Sequence, residues 1–79
     1  MSAKLPVVSG EQIIKVLCKK GYIFHHQRGS HVTLKKDGPP ATRVVVPLHD
    51  PVRKGTLKSI LFDAGVTTEE FVQLLHNHV

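Results

Sequence analysis

A chain of 79 residues can bury one modest hydrophobic core, so we expect one small domain and no second one. Its composition, 41% hydrophobic and 22% charged, is typical of a globular protein and argues against disorder or a fibrous protein. The formal net charge of +5 at pH 7 favours a polyanionic partner.

The sequence carries no signal for secretion or for membrane insertion. No apolar run approaches the roughly 18 residues that a membrane span needs, and the segment "MSAKLPVVSGEQ" lacks the apolar core of a signal peptide. Cys18 is a lone cysteine inside an apolar helical pattern, which predicts a buried small side chain rather than a nucleophile. We therefore expect a cytoplasmic protein in a reducing compartment.

The first predicted element is a helix over residues 10–20. Ser9 and Gln12 form a capping-box pattern at its start, and Gly21 ends it. Between these signals, apolar residues recur at helical spacing: Ile13, Val16 and Leu17.

Three strands follow and predict an antiparallel meander. The segments are "YIFHHQ" (22–27), "HVTLKK" (31–36) and "RVVVPL" (43–48), separated by the turn signals "RGS" and "KDGPPA". Gly29 is expected to supply a turn position with positive φ. Because side chains alternate across a strand, His31, Thr33 and Lys35 share one face, while Val32 and Leu34 face the core.

Two more helices complete the order of elements. The segment "HDPVRKGT" is expected to form a loop, followed by a helix with apolar residues from Leu57 to Ala64 and a stop at Gly65. Thr67 and Glu70 form a second capping-box pattern that opens a short last helix. The order α-β-β-β-α with a short C-terminal helix predicts an α+β two-layer sandwich, an order shared with double-stranded-RNA-binding domains.

His31 is the strongest candidate for a chemical role. It follows a Gly-Ser turn at the start of a strand and has cationic neighbours in sequence. An imidazole titrates near neutrality, so it could take the 2′-hydroxyl proton of RNA or return a proton to the leaving oxygen, while Lys or Arg balances charge on phosphorus. The pattern alone, however, favours a solvated strand histidine over a catalyst.

Other candidate sites receive weaker support from the sequence. His25 and His26 are adjacent on a strand and should point to opposite faces, and His76 and His78 do not converge on a helix, so we expect no dedicated metal site. Ser30 has no acid and base placed around it, which favours a local turn role over a nucleophile.

Taken together, the motifs resemble one known family, the HicA-type toxins of bacterial toxin–antitoxin pairs. The resemblance extends over nearly the whole chain, through "KLPVVSGEQIIKVLCKKGY", "QRGSHVTLKK", "VVVPLHDPVRKGTLKSILFDAG" and "TEEFVQLL". It implies a single HicA-like domain over residues 1–79 with a double-stranded-RNA-binding-like fold. In that family the histidine of the Gly-Ser-His step is catalytic, which assigns the role to His31 and reverses the interpretation from the pattern alone.

The resemblance further implies metal-independent cleavage of mRNA without a cofactor, arrest of translation, and neutralisation by a HicB-type antitoxin. On this interpretation Arg28 and Lys35 are phosphate contacts, and a wider RNA-holding surface is formed by Lys36, Arg53 and Lys54. This surface lies in the basic part of the chain, where residues 15–58 contain ten Lys and Arg against two acids. No role is assigned to the other histidines: His25, His26, His49, His76 and His78.

Two alternatives remain at this point. The chain could be a non-catalytic basic RNA-binding domain that uses the same face. It could also be a toxin homologue that has lost activity and persists as a binding partner.

Overall fold

The computed structural model describes residues 4–77 and confirms the expected α+β architecture with a three-stranded antiparallel sheet. The elements are α1 (Gly10–Lys19), β1 (Ile23–Arg28), β2 (His31–Lys36), β3 (Thr42–Pro47), α2 (Lys54–Ala64) and α3 (Thr68–Leu75). The sheet order is β1-β2-β3; α1 and α2 pack against β3, and α3 packs against α1. No helix within the described part of the chain is long and apolar enough to cross a membrane.

The start of α1 is the predicted capping box. The side chain of Ser9 accepts a hydrogen bond from the Gln12 backbone N–H, and the Gln12 side chain accepts one from the Ser9 N–H. The buried face consists of Ile13, Val16 and Leu17 together with Gly10. The prediction that Cys18 is buried was wrong: the thiol is exposed, because one residue beyond Leu17 the helix has turned by about 100°.

The central strand alternates as predicted, and its even-numbered side chains enter the core. Val32 and Leu34 are buried, whereas His31 is exposed on the opposite face. Thr33 shares the face of His31 but is also buried, because its paired neighbours on the two flanking strands are His26 and Val45. The face of the sheet that carries His31 is called the open face below.

Strand β1 departs from regular alternation at His25. The register shifts between Phe24 and His26, which is the sign of a β-bulge with His25 as the extra residue. The expectation that His25 and His26 point to opposite faces was wrong, since their rings pack edge to face with centroids 4.9 Å apart. Tyr22 was predicted in this strand but precedes it. Its ring is buried and its hydroxyl shares a hydrogen bond with the Thr42 hydroxyl at 2.8 Å.

The turns and helix ends require glycine where the sequence predicted it. Gly29 has φ +58° in the two-residue turn between β1 and β2, and Gly65 has φ +71° at the end of α2. Helix α2 begins at Lys54, so the last three residues of the predicted loop "HDPVRKGT" are helical.

Helix α3 is tied to α1 through side chains at both of its ends. The Thr67 side chain accepts from the Glu70 N–H, as the capping pattern predicted, but the Glu70 carboxylate pairs with Lys20 at 2.5 Å instead of completing the box. At the other end, the Lys19 ammonium donates to the backbone carbonyls of Leu74 and Asn77. Two cations of the basic part of the chain therefore serve the fold.

Candidate active site

His31 lies at one end of the open face, directly after the Gly29–Ser30 turn. The strand register places it between Arg28 on β1 and Pro47 on β3. Its side chain is exposed, as the alternation of β2 predicted. Arg28 is exposed as well, so the pair offers an imidazole and a permanent cation to solvent at one end of the sheet.

A second histidine, His49, lies beside His31 although the two are 18 positions apart in sequence. The ring centroids are 6.4 Å apart and the ring planes meet at 72°. Sequence reasoning missed this neighbour, because His49 lies in a loop whose path is not visible in any periodicity. The signal that could have found it is the pairing of β2 with β3, which brings the end of β3 to the start of β2.

The backbone around His49 is held from two sides. On one side, the Leu48 N–H donates to the Ser30 carbonyl at 2.6 Å, which continues the sheet ladder beyond β3. On the other, the Gly10 N–H at the start of α1 donates to the His49 carbonyl at 2.9 Å. A Cβ on Gly10 would lie 2.0 Å from the Pro47 carbonyl oxygen, so glycine is required for this close approach.

A cationic cluster occupies the other end of the open face. Lys35 on β2 is paired directly with Arg43 on β3, and like charges in this position repel each other. Partial desolvation lowers the pKa of His25 below the usual 6.5 of imidazole, and the positive charges of Lys35, His26 and Arg43 lower it further. Sequence reasoning did not single out Arg43. Its place next to Lys35 follows from the strand register alone.

The predicted RNA-contacting residues do not all lie together. Lys35 is four residues from His31 along β2, a separation of about 13 Å at roughly 3.3 Å per residue. Lys36 belongs to the opposite face of the sheet, where its ammonium lies over the Tyr22 ring, 5.7 Å from the ring centroid. Only Arg28 is a direct neighbour of His31 in the strand register.

Arg53 and Lys54 lie at the N-terminus of α2, shortly after His49 in the chain. Arg53 is the N-cap residue, and unlike the caps of α1 and α3 it makes no side-chain hydrogen bond to the helix. The first turn of α2 contains no acidic residue. Its backbone N–H groups and these two cations are compatible with a phosphate.

The remaining candidates are Ser30 and the histidines that were considered for a metal site. Ser30 is part of the β1–β2 turn, and its carbonyl accepts the ladder bond from Leu48. Within residues 4–77, no group of three or more His, Cys, Asp or Glu side chains is placed to share a metal ion. His78, one of the histidines considered for a metal, lies outside the described residues.

Comparison with known proteins adds one finding to this geometry. The chain matches the family model described as "HicA toxin of bacterial toxin-antitoxin" over residues 10–66, a span from the first residue of α1 to just beyond α2. That span includes His31, His49 and every predicted RNA-contacting residue. A search of curated proteins found no match. Since the family match extends over well more than half of the chain, the protein belongs to the HicA toxins of bacterial toxin–antitoxin systems.

Proposed function

We propose that this toxin is an endoribonuclease that cleaves mRNA and thereby arrests translation, with His31 as a catalytic residue. The observation that carries the proposal is the placement of an exposed imidazole next to an exposed guanidinium, at one end of an open basic sheet face, in a chain of this toxin family. An imidazole can exchange a proton with substrate near neutral pH, and a guanidinium balances charge that develops on a phosphate.

The proposed nucleophile is the RNA's own 2′-hydroxyl. His31 removes its proton as general base, the 2′-oxygen attacks the adjacent phosphorus, and Arg28 stabilises the negative charge of the pentavalent transition state. The upstream product then ends in a 2′,3′-cyclic phosphate. In this mechanism the chain needs no metal ion and no cofactor.

The open face provides a path for the RNA strand away from His31. Lys35 and Arg43 form a positive pair about 13 Å along the sheet from His31, at roughly 3.3 Å per residue, and neither makes an ion pair with an acid among residues 4–77. Bound phosphate would relieve their repulsion. We propose that these residues hold the strand next to the cut site. A wider positive electrostatic potential, which attracts RNA from other directions, comes from Lys36, Arg53 and Lys54.

As a member of a toxin–antitoxin family, the chain has a cognate antitoxin as its partner. We propose that this antitoxin is of the HicB type and covers His31 with an acidic or hydrogen-bonding surface, in the cytoplasm where mRNA is translated. The cationic face that attracts RNA would attract such a protein for the same electrostatic reason.

Cleavage of a labelled transcript by the purified toxin tests the proposal. Wild type should cut the transcript in EDTA, and His31→Ala should lower the rate by about 10²–10⁴-fold, the usual contribution of general acid–base catalysis. His76→Ala removes an exposed histidine at the end of α3 and serves as the matched control with full activity. RNA binding without cleavage by folded wild type would instead support a non-catalytic RNA-binding domain.

A further inference from the structure

We infer that His49 is a second catalytic histidine, which donates the proton to the leaving 5′-oxygen while His31 accepts the proton of the 2′-hydroxyl. This inference rests on the proposed ribonuclease activity and adds to it a residue with a distinct task. It starts from the position of the two rings, whose centroids lie 6.4 Å apart at the same end of the sheet.

The separation of the rings suits two proton transfers around one phosphate. At 6.4 Å between centroids the imidazole nitrogens lie beyond direct hydrogen-bond reach of each other, which is about 2.6–3.2 Å between heavy atoms. An atom group placed between the rings can approach both. In-line displacement at phosphorus puts the attacking 2′-oxygen and the leaving 5′-oxygen on opposite sides, so a base and an acid on two sides of the phosphate serve the two oxygens separately.

Several backbone hydrogen bonds hold the segment around His49 in this position. The Ser30 carbonyl fixes Leu48, and Ser30 is the residue immediately before His31, so one backbone hydrogen bond couples the two histidine-bearing segments. The Gly10 N–H fixes the His49 carbonyl. Two residues beyond Asp50, the Val52 N–H donates to the Val8 carbonyl at 2.8 Å, so the segment after His49 is anchored too.

Both imidazole rings remain exposed in spite of this anchoring. Neither ring donates to or accepts from a carboxylate among residues 4–77, where the single ion pair joins Lys20 and Glu70. The anchored backbone therefore presents two solvent-facing proton carriers rather than two buried structural groups.

Cleavage of the phosphodiester bond needs no reactant besides the RNA and the two histidines. The 2′-oxygen forms a bond to phosphorus and loses its proton to neutral His31, while the bond from phosphorus to the 5′-oxygen breaks and that oxygen takes a proton from protonated His49. The products are a 2′,3′-cyclic phosphate and a free 5′-hydroxyl. His31 leaves the step protonated and His49 neutral, and exchange with water restores both.

A substrate with a better leaving group tests the role of His49 directly. In an oligoribonucleotide whose cut-site 5′-oxygen is replaced by sulfur, the thiolate leaves without protonation, so a general acid is no longer needed. On ordinary RNA, His49→Ala should be slower than wild type by about 10²–10⁴-fold. On the sulfur substrate that deficit should shrink to within a few-fold, whereas His31→Ala should remain slow on both substrates.

Further measurements separate this inference from its alternatives. The pH–rate profile of wild type should be bell-shaped, and His49→Ala should lose the decline at high pH because the group that must be protonated is gone. His49→Gln keeps a polar side chain of similar reach and should behave as His49→Ala. Thermal unfolding and binding to a 2′-deoxy substrate should match wild type for both variants, because the His49 ring is exposed.

Three results would overturn the inference. An equal deficit of His49→Ala on both substrates would mean that the residue only positions the site or the RNA. Full activity of His49→Ala on ordinary RNA would remove the residue from the mechanism, and rescue of His31→Ala by the sulfur substrate would exchange the two roles. Failure of wild type to cut either substrate would refute the ribonuclease itself, an outcome distinct from these three.

Discussion

Replacing Gly10 with alanine should destabilise the protein and disturb the site at the same time. Gly10 is the first residue of α1, and the Cβ of an alanine there would lie 2.0 Å from the Pro47 carbonyl oxygen and 3.0 Å from the Leu48 Cα. Both atoms belong to the backbone, which cannot rotate aside as a side chain would. The substitution must therefore push apart the N-terminus of α1 and the segment that carries His49.

The expected magnitude follows from two opposing effects. Inserting a carbon into a packed contact costs about 1–3 kcal/mol, and a backbone contact this short favours the upper end. The greater helix preference of alanine stabilises the folded state by about 0.5–1 kcal/mol. The net loss of about 2 kcal/mol corresponds to a melting temperature lower by roughly 8–16 °C in a domain of this size.

Gly55→Ala is the matched control for this substitution. Gly55 lies in the first turn of α2, and apart from its chain neighbours and the backbone of its own helix no described heavy atom lies within 4 Å of the position its Cβ would take. The same chemical change should therefore raise stability by up to about 1 kcal/mol. Thermal and urea unfolding followed by circular dichroism measure the stability of both variants. At a temperature where it is folded, Gly10→Ala should cleave RNA more slowly than wild type. A melting temperature of Gly10→Ala at or above that of wild type would refute the reasoning.

Three further predictions concern charge. The affinity for a non-cleavable 2′-deoxy substrate should fall steeply as the salt concentration rises. Lys35→Ala or Arg43→Ala should each reduce the slope of log K against log salt by about 1, whereas Lys15→Ala on α1 should leave the slope unchanged. An affinity that hardly varies with salt would contradict the proposal that the open face binds RNA. The pKa of His25 is lowered in the folded protein, so as the pH falls through 6.5 the unfolded chain binds a proton at His25 more readily than the folded one. The stability of the fold should therefore decrease as the pH falls through this range, and the decrease should be smaller in His25→Ala. Wild type and His25→Ala with the same change in melting temperature between pH 7.5 and pH 5.5 would argue against this shift. Addition of the cognate antitoxin should stop RNA cleavage by covering the open face, and a tight complex that cleaves at the rate of the free toxin would contradict that placement.

Local signals account for the elements that were predicted well. Ser9 and Thr67 begin helices because their side-chain oxygens accept backbone N–H groups, and Gly29 and Gly65 supply positive φ angles that other residues rarely adopt. The position of His31 on the face opposite Val32 and Leu34 follows from regular alternation in the central strand, which a sequence pattern describes correctly. The start of α2 lacked such a signal, since Arg53 caps it without a side-chain hydrogen bond.

The features that were missed depend on contacts between distant segments or on irregular backbone. The bulge at His25 breaks the alternation of β1, and nothing in the periodicity announces an extra residue. The approach of His49 to His31 requires the β2–β3 register and the hydrogen bond from Gly10, neither of which is local in sequence. Arg43 was missed for the same reason, because only the strand register places it opposite Lys35.

The chemical nature of the RNA ends tests the central claim most directly. A defined oligoribonucleotide is incubated with the purified toxin in EDTA, and the fragments are identified by mass spectrometry beside those from His31→Ala. Attack by the 2′-hydroxyl predicts a 2′,3′-cyclic phosphate on the upstream fragment and a free 5′-hydroxyl on the downstream one, with almost no product from His31→Ala. Fragments that carry a 3′-hydroxyl and a 5′-phosphate, or cleavage of a substrate with a 2′-deoxy cut site at the rate of RNA, would contradict the proposed role of His31.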